Sequence, residues 1–466
     1  MRALVDLPVS LSREATVPLT AQLADWLREA MLSGALAPGE RLPSSRGLAG
    51  QLKVSRTVVT EAYQQLYAEG WLEGRHGSGT FVTPLESPRR FVPETPGPRM
   101  RRRAVPGEKE INLTPGHPWV RDYDRAAWKR AWRKAAELPP GDYPDPYGLP
   151  RLRELLADHL RRARAVAVGP ENILVTRGTG NGLDLCALAL LGAGTRAGVE
   201  DPGYHTARTV FAGRGAEVVP CLVDEDGVIV DGLPDDLRLL YTTPAHQYPL
   251  GGRLPISRRE RLLTWARRTG AIIVEDDYDA EFRYDVAPLP ALYGLDPSRV
   301  VLLGTLSKSL APDVGVGWLV GTPELLDRIA TIRRGVSDRT SGPVQQAVAT
   351  LLEGGDLDRH LRRMRLEYAR RRAVVVEVLG AVCRLRGDTA GLHVLAELPR
   401  GAATAIVERA AERGVLLDTV ERHHFGPEHV HGLVIGYGSA SLSDVRRGCL
   451  ILAELIGGGR AGQERG

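Results

Sequence analysis

One lysine stands apart as a candidate for covalent chemistry. The chain has 466 residues and 61 Lys plus Arg, but only Lys53, Lys109, Lys129, Lys134 and Lys308 are lysines. Four of them sit among polar or charged neighbours. Lys308 lies in Gly304-Thr305-Leu306-Ser307-Lys308-Ser309-Leu310, just after the strand-like Val300-Val301-Leu302-Leu303. Arginine serves equally well as a surface charge, but it cannot supply the neutral amine that bonds an aldehyde, because a guanidinium does not deprotonate in proteins. Thr305 and Ser307 flank the lysine with hydroxyls suited to a phosphate. A lysine between small hydroxyl residues at a strand end points to pyridoxal phosphate, PLP. A buried structural lysine is the alternative reading of the same stretch.

Four further stretches carry chemistry. Thr176-Arg177-Gly178-Thr179-Gly180-Asn181-Gly182 leads from a strand into a helix and offers backbone amides to an anion. Glu200-Asp201-Pro202-Gly203-Tyr204 places an aromatic ring after a strand, and Thr243-Pro244-Ala245-His246-Gln247-Tyr248-Pro249-Leu250-Gly251 is a third loop of that kind. Glu275-Asp276-Asp277-Tyr278-Asp279 and Glu281 crowd carboxylates that repel unless paired. A pyridinium nitrogen would pair with one of them. His423, His424, His429 and His431 lack carboxylate or Cys partners at regular metal-binding spacing, so no metal is expected.

The elements that position these residues read as α/β. Strand-like runs at 172–176, 195–200, 217–221, 237–242, 271–275 and 300–303 alternate with helical segments at 123–136, 149–164 and 182–191. A mainly parallel sheet follows, and such sheets bind ligands at their strand carboxyl ends, where the four loops fall. After a long basic helix over 358–379, a small α/β subdomain is expected, with elements at 391–398, 402–413, 430–437 and 443–455. This large domain spans about 112–460. A Pro- and Arg-rich linker over 84–111, with Arg101-Arg102-Arg103, precedes it.

Residues 13–83 read differently. Apolar residues from Leu19 to Met31 recur at helical spacing, a short helix starts at Ser44 or Ser45, and Ser55 caps a third from Arg56. Val58, Ala62, Tyr63 and Leu66 should face the core of this block. Two short strands, 70–75 and 79–82, flank the tip His76-Gly77-Ser78-Gly79. Three helices and a hairpin make a winged helix-turn-helix, whose third helix reads the DNA major groove.

The motifs now carry a resemblance. Leu42-Pro43-Ser44-Ser45-Arg46-Gly47-Leu48-Ala49 and Ser55-Arg56-Thr57-Val58-Val59 resemble the DNA-binding domain of the GntR family. That resemblance implies DNA contacts by Arg46 and Arg56, supported by Arg41, Ser44, Ser55, Thr57, Arg75 and Gly77. Residues 116–448 resemble the fold-type I aminotransferases, and the whole chain resembles the MocR/GabR branch of GntR regulators. The resemblance implies that Lys308 bonds PLP, Asp276 pairs with the pyridine nitrogen, Tyr278 meets the phenolic oxygen and Tyr204 stacks on the ring. Thr179, Gly180, Thr305 and Ser307 would hold the phosphate, with His246 and Gln247 along the ring edge. A homodimer with its sites at the subunit interface is expected.

Two positions depart from that pattern. Gly315 stands where the family places an Arg for the PLP phosphate, with Arg177, Arg283 or a partner subunit's Arg as possible replacements. Val434 stands where aminotransferases place an Arg for the substrate carboxylate, and Arg208 or Arg422 is the expected substitute for an effector. The formal charge of +4 is too small to define a partner. Cys186, Cys221, Cys383 and Cys449 form no paired motif, which fits a reducing cytoplasm. No apolar run is long enough for a membrane span. The expectation is a PLP-dependent regulator binding double-stranded operator DNA, in which PLP or a PLP-amine adduct is the effector. The competing readings are an active class I/II aminotransferase with a DNA-binding appendage and a PLP-free dimerisation scaffold.

Overall fold

A computed structural model describes residues 9, 11–75, 79–84, 110–141, 144–279, 281–285 and 289–463. The chain divides into two units, Met1–Arg103 and Ala104–Gly466. The expected linker lies almost wholly outside the described residues. Among those residues no helix is long and apolar enough to cross a membrane.

The first unit has helices Leu19–Leu32, Ser45–Leu52 and Arg56–Ala68, then strands Leu72–Arg75 and Gly79–Val82. Both short connections carry their predicted caps. Ser44 Oγ accepts from the Gly47 amide at 3.1 Å and Ser55 Oγ from the Val58 amide at 3.4 Å. Each cap satisfies an amide that the helix start leaves without a partner and contributes about 1 kcal/mol. The strands pair antiparallel from Leu72 opposite Val82 to Arg75 opposite Gly79. The core gathers Leu23, Leu27, Leu48, Val59, Ala62, Tyr63 and Leu66. Val59, fully buried, takes the core position expected for Val58, which is only half-buried. Adjacent residues of a helix face 100° apart, so either valine satisfies the sequence pattern.

The second unit is built on eight strands in the spatial order Ile173–Thr176, Gly317–Val320, Val300–Thr305, Ile272–Asp277, Leu237–Thr242, Arg196–Asp201, Glu217–Asp224 and Gly227–Val228. Gly317–Val320 runs antiparallel to both neighbours, and Gly227–Val228 is antiparallel to Glu217–Asp224; the remaining pairs are parallel. Helices cover both faces, so the central strands are apolar on both sides. Val301 and Leu303 join one core cluster while Val300 and Leu302 join the other. This explains why these strands read as unbroken apolar runs rather than alternating ones. The C-terminal part has a four-stranded antiparallel sheet, ordered Arg384–Arg386, His393–Glu397, Gly432–Gly436 and Asp418–Thr419. Helices Asp356–Leu379, Ala402–Glu412 and Leu442–Gln463 complete it.

Gly304 lets two strands close next to the site. It pairs with Trp318, and a Cβ there would lie 2.2 Å from the indole. Gly304→Ala should therefore lower the urea unfolding free energy of the second unit by about 2 kcal/mol through overpacking, whereas the helical Gly213→Ala, where a Cβ meets open space, should not lower it.

Candidate functional site

The strands ending at Thr176, Asp201, Thr242, Asp277 and Thr305 deliver their loops to one edge of the sheet. Lys308 Nζ donates to the Gly116 carbonyl at 2.6 Å. Gly116 has φ +82°, and a side chain there would begin 3.4 Å from Nζ. Burial lowers the Lys308 pKa, against the opposing pull of Asp279 and Asp276. A depressed ammonium is the state from which a nucleophilic amine is most readily obtained.

Asp276 is buried beside the lysine. Tyr241 Oη donates to its Oδ2 at 2.8 Å and Thr179 Oγ1 to its Oδ1 at 3.4 Å. Burial pushes the Asp276 carboxyl up to about 7, and Asp277 adds to the rise, while Tyr241 and Lys308 oppose it. The neighbouring acids are accounted for elsewhere. Asp277 pairs with buried Arg164 at 2.5 Å, and Glu275 accepts from the Leu292 and Tyr293 amides at 2.8 Å each. The period-2 alternation of a strand turns Asp276 one way and Glu275 and Asp277 the other.

Thr305 and Ser307 lie together, with Gly178, just before Thr179 and Gly180, beside them. Ser307 Oγ accepts from Thr305 Oγ1 at 3.0 Å, and the Ser307 amide donates to Thr305 Oγ1 at 3.1 Å. A Cβ on Gly178 would lie 3.6 Å from Thr305 Oγ1 and 3.8 Å from Ser307 Oγ. Gly178 has φ +107° and precedes helix Thr179–Leu190, whose start carries no side-chain cap. Hydroxyls and helix amides thus form a cradle for an anion.

Tyr204 sits with its ring 6.3 Å from Tyr241 and 6.2 Å from Tyr248. Tyr278 Oη donates to the His246 carbonyl at 3.0 Å and lies 3.1 Å from His246 Nδ1, which is also 3.0 Å from Asp279 Oδ2. Burial holds the Tyr278 phenol well above its ordinary pKa, so it is a neutral donor. His393, which sequence reasoning missed, brings its ring to 4.8 Å from His246. Tyr241 was missed too; a polar aromatic ending the run Leu237-Arg238-Leu239-Leu240 was its only signal. Gln247 is placed differently from the expectation. It is fully buried, and its amide serves Glu200, Pro202, Tyr248 and the Leu250 amide. Its side chain braces the loop rather than offering a free group to a ring.

Neither named in-chain substitute for the phosphate Arg is free. Arg177 pairs with Asp338, and Arg283 pairs with Asp388 at 2.6 Å. Gly315 itself has φ +59°, and a Cβ there would meet only the Asp313 carbonyl oxygen, at 4.0 Å. Val434 is fully buried in the small sheet, opposite Leu395 and Asp418. Arg208 and Arg422 do converge, lining one small cleft with Tyr204, His205, His423 and Phe425. Arg208 lies 4.9 Å over the Phe425 ring and Arg422 pairs with Asp418 at 2.7 Å.

In the first unit Arg41, Ser44, Arg46, Ser55, Arg56 and Thr57 are all exposed. Arg56 Nε donates to Ser45 Oγ at 3.4 Å, which joins the second and third helices at their N-termini. Arg75 ends the first wing strand. Gly77 lies outside the described residues.

Comparisons with known proteins agree with this division. Residues 19–82 match the model for bacterial regulatory proteins of the gntR family, and residues 111–430 match that for aminotransferase class I and II. The pyridoxine biosynthesis transcriptional regulator PdxR of Corynebacterium glutamicum is 38% identical, covering 97% of this chain and 98% of the relative. The probable rhizopine catabolism regulatory protein MocR of Rhizobium meliloti is 34% identical over 94% of each. An α-aminoadipate aminotransferase, LysN of Thermus thermophilus, superposes with TM-score 0.69 at 26% identity, covering 76% of this chain and 94% of that one. A two-part chain of this kind, with a gntR-family DNA-binding region and a fold-type I aminotransferase domain, is a helix-turn-helix transcriptional regulator. It belongs to the MocR-type regulators of the gntR family.

The raised carboxyl of Asp276 has a measurable consequence in ligand-free protein. A carboxyl whose folded pKa lies above its unfolded value of 3.8 holds extra protons when folded, so it lowers stability as pH rises through that interval. Asp276→Asn removes this loss. The melting temperature of Asp276→Asn minus that of the wild type should grow from pH 5 to pH 8 and then level off. A pH-independent difference would contradict the assignment.

Proposed function

We propose that this regulator binds PLP at Lys308 and that the bound cofactor is itself the signal altering operator binding. The observation that carries the proposal is selective retention. Groups suited to PLP lie together, while Val434, which by family resemblance stands at the place of the aminotransferase substrate arginine, is buried. The local geometry suits the group. Thr305, Ser307 and the amides after Gly178 fit a phosphate, Tyr278 carries a neutral hydroxyl that donates to the His246 carbonyl and would turn to a ligand oxygen, and Asp276 is a buried acid in need of a cation. When bound, PLP supplies an aldehyde and an electron-withdrawing ring. The chain's own residues do the rest: Lys308 contributes the amine, Asp276 holds a proton on the ring nitrogen, and Tyr204 supplies an apolar face. The relationship to PdxR, named for pyridoxine biosynthesis, supports PLP itself as the effector.

Regulation then requires that PLP bind two conformations of the chain with different affinity. The proposed assembly is a homodimer, which presents two winged helices to two DNA half-sites. A second reading, an amino compound joined to PLP, rests on Arg208 and Arg422 lining a cleft with Tyr204. The Arg208 guanidinium suits a carboxylate or sulfonate, whereas Arg422 is paired with Asp418.

The test is spectroscopic and functional. Wild-type protein given PLP should gain a visible absorption band and change its operator affinity as PLP is titrated. Lys308→Ala should lose the band and at least tenfold of the PLP response, while retaining DNA binding. An absent band in the wild type, or operator binding indifferent to PLP, overturns the proposal. Dependence on a carboxylated amine, abolished by Arg208→Ala, would select the second reading.

A further inference from the structure

The second unit carries a basic stripe that its own fold leaves unpaired. Helix Arg125–Ala136 buries Ala127, Ala131 and Ala135. The opposite face presents Arg125, Lys129 and Arg133, all exposed, at i, i+4 and i+8. These positions stack along one side of a helix about 6 Å apart. Asp124 is taken up as the N-cap, accepting from the Ala126 and Ala127 amides at 2.9 Å each. Among the described residues none of the three cations has a carboxylate within ion-pairing distance. Their helix neighbours do: Arg130 pairs with Asp356 at 2.9 Å and Lys134 with Glu353 at 3.4 Å.

Another arginine-rich helix of this unit is paired where the stripe is not. On helix Ile256–Thr269, Arg258 pairs with Asp224 at 2.6 Å, Arg261 with Asp231 at 2.8 Å and Arg267 with Asp296 at 2.7 Å, and Arg268 pairs with Asp235. Among the described residues, single exposed cations without an ion pair occur elsewhere in this unit, Arg238, Arg328 and Arg400 for example; what distinguishes the stripe is that its cations without an acid beside them stand in a row. Three in a row without one repel each other and favour an external polyanion. The partner class already established for the chain, DNA, is such a polyanion, with one phosphate charge per about 1.7 Å of duplex axis.

We propose that Arg125, Lys129 and Arg133 form a second, sequence-blind DNA contact on the aminotransferase-like unit, neutralising phosphates outside the bases read by the winged helix. Such a contact adds affinity and salt dependence but no base discrimination. The Trp132 side chain, 37% exposed at the edge of the stripe, makes a second copy of this chain the competing occupant.

The full-length chain, without added PLP, is titrated with a random-sequence 40-base-pair duplex at several salt concentrations. Each neutralised phosphate contributes about 0.9 to the slope of log affinity against log salt. The variant R125Q/K129Q/R133Q should therefore flatten the slope by about 2.7 and weaken binding at low salt by at least tenfold. R125K/R133K should match the wild type, because lysine also neutralises a phosphate. Melting temperature is measured on each variant to confirm folding. An unchanged slope in the Gln variant overturns the proposal. So does an altered sedimentation coefficient, which would assign the stripe to contact between copies of the chain. Because no PLP is present, neither result depends on the proposed effector.

Discussion

A carboxylate buried at the end of a central strand is the constraint around which the large unit is arranged. Asp276 has a tyrosine and a threonine as its hydrogen-bonding side-chain partners and a lysine as its nearby cation. That set is too weak to keep it fully ionised, and its pKa rises to about 7. Burial of an acid without a close cation is costly unless a ligand completes it. The adjacent acids show how the fold handles charge that it does not reserve: Arg164 lies against Asp277, and two backbone amides serve Glu275. Asp276 is thus without a close cation, while Asp277 has Arg164 and Glu275 two amides, although burial raises the pKa of both and of Glu281 as well.

The loops around Asp276 are held with corresponding care. Glu200 gathers Thr242, Thr243 and Gln247, so the ends of two strands and the His246 loop are tied to one buried carboxylate. Gly304 and Gly317 allow the antiparallel strand to close against its neighbours beside the hydroxyl cradle. Rigid placement of this sort suits recognition of a ligand with several fixed groups, because little ordering remains to be done on binding.

Much of this was legible in the chain. Lys308 stood out by composition, and the apolar strand runs located the loops. The caps at Ser44 and Ser55 followed from residue type at helix starts. What escaped was whatever depends on the direction of a side chain within a loop or on contacts between distant segments. Gln247 read as a ligand-facing polar residue because its neighbours are; only the folded loop shows its amide fully engaged. Tyr241 and His393 reach the site from separate strands, and no local spacing records that. Arg177 sits in the anion-binding loop by sequence, but Asp338, 161 positions away, claims it. Val58 and Val59 could not be separated by a pattern that tolerates either on the buried side.

The hydroxyl-lined cradle bears on how such a receptor keeps time with its surroundings. A guanidinium on a phosphate contributes roughly 1.5–3 kcal/mol, about ten- to a hundredfold in affinity. With glycine at 315 and both Arg177 and Arg283 paired with carboxylates, the proposed phosphate site would rely on dipoles unless a partner subunit supplies a guanidinium. A catalyst gains from a permanent tenant, because departure of its cofactor is idle time. A gauge gains from a tenant that leaves, because only then does occupancy follow the pool outside. Under the proposed reading, a site without that arginine would be the kind whose occupancy follows the concentration outside.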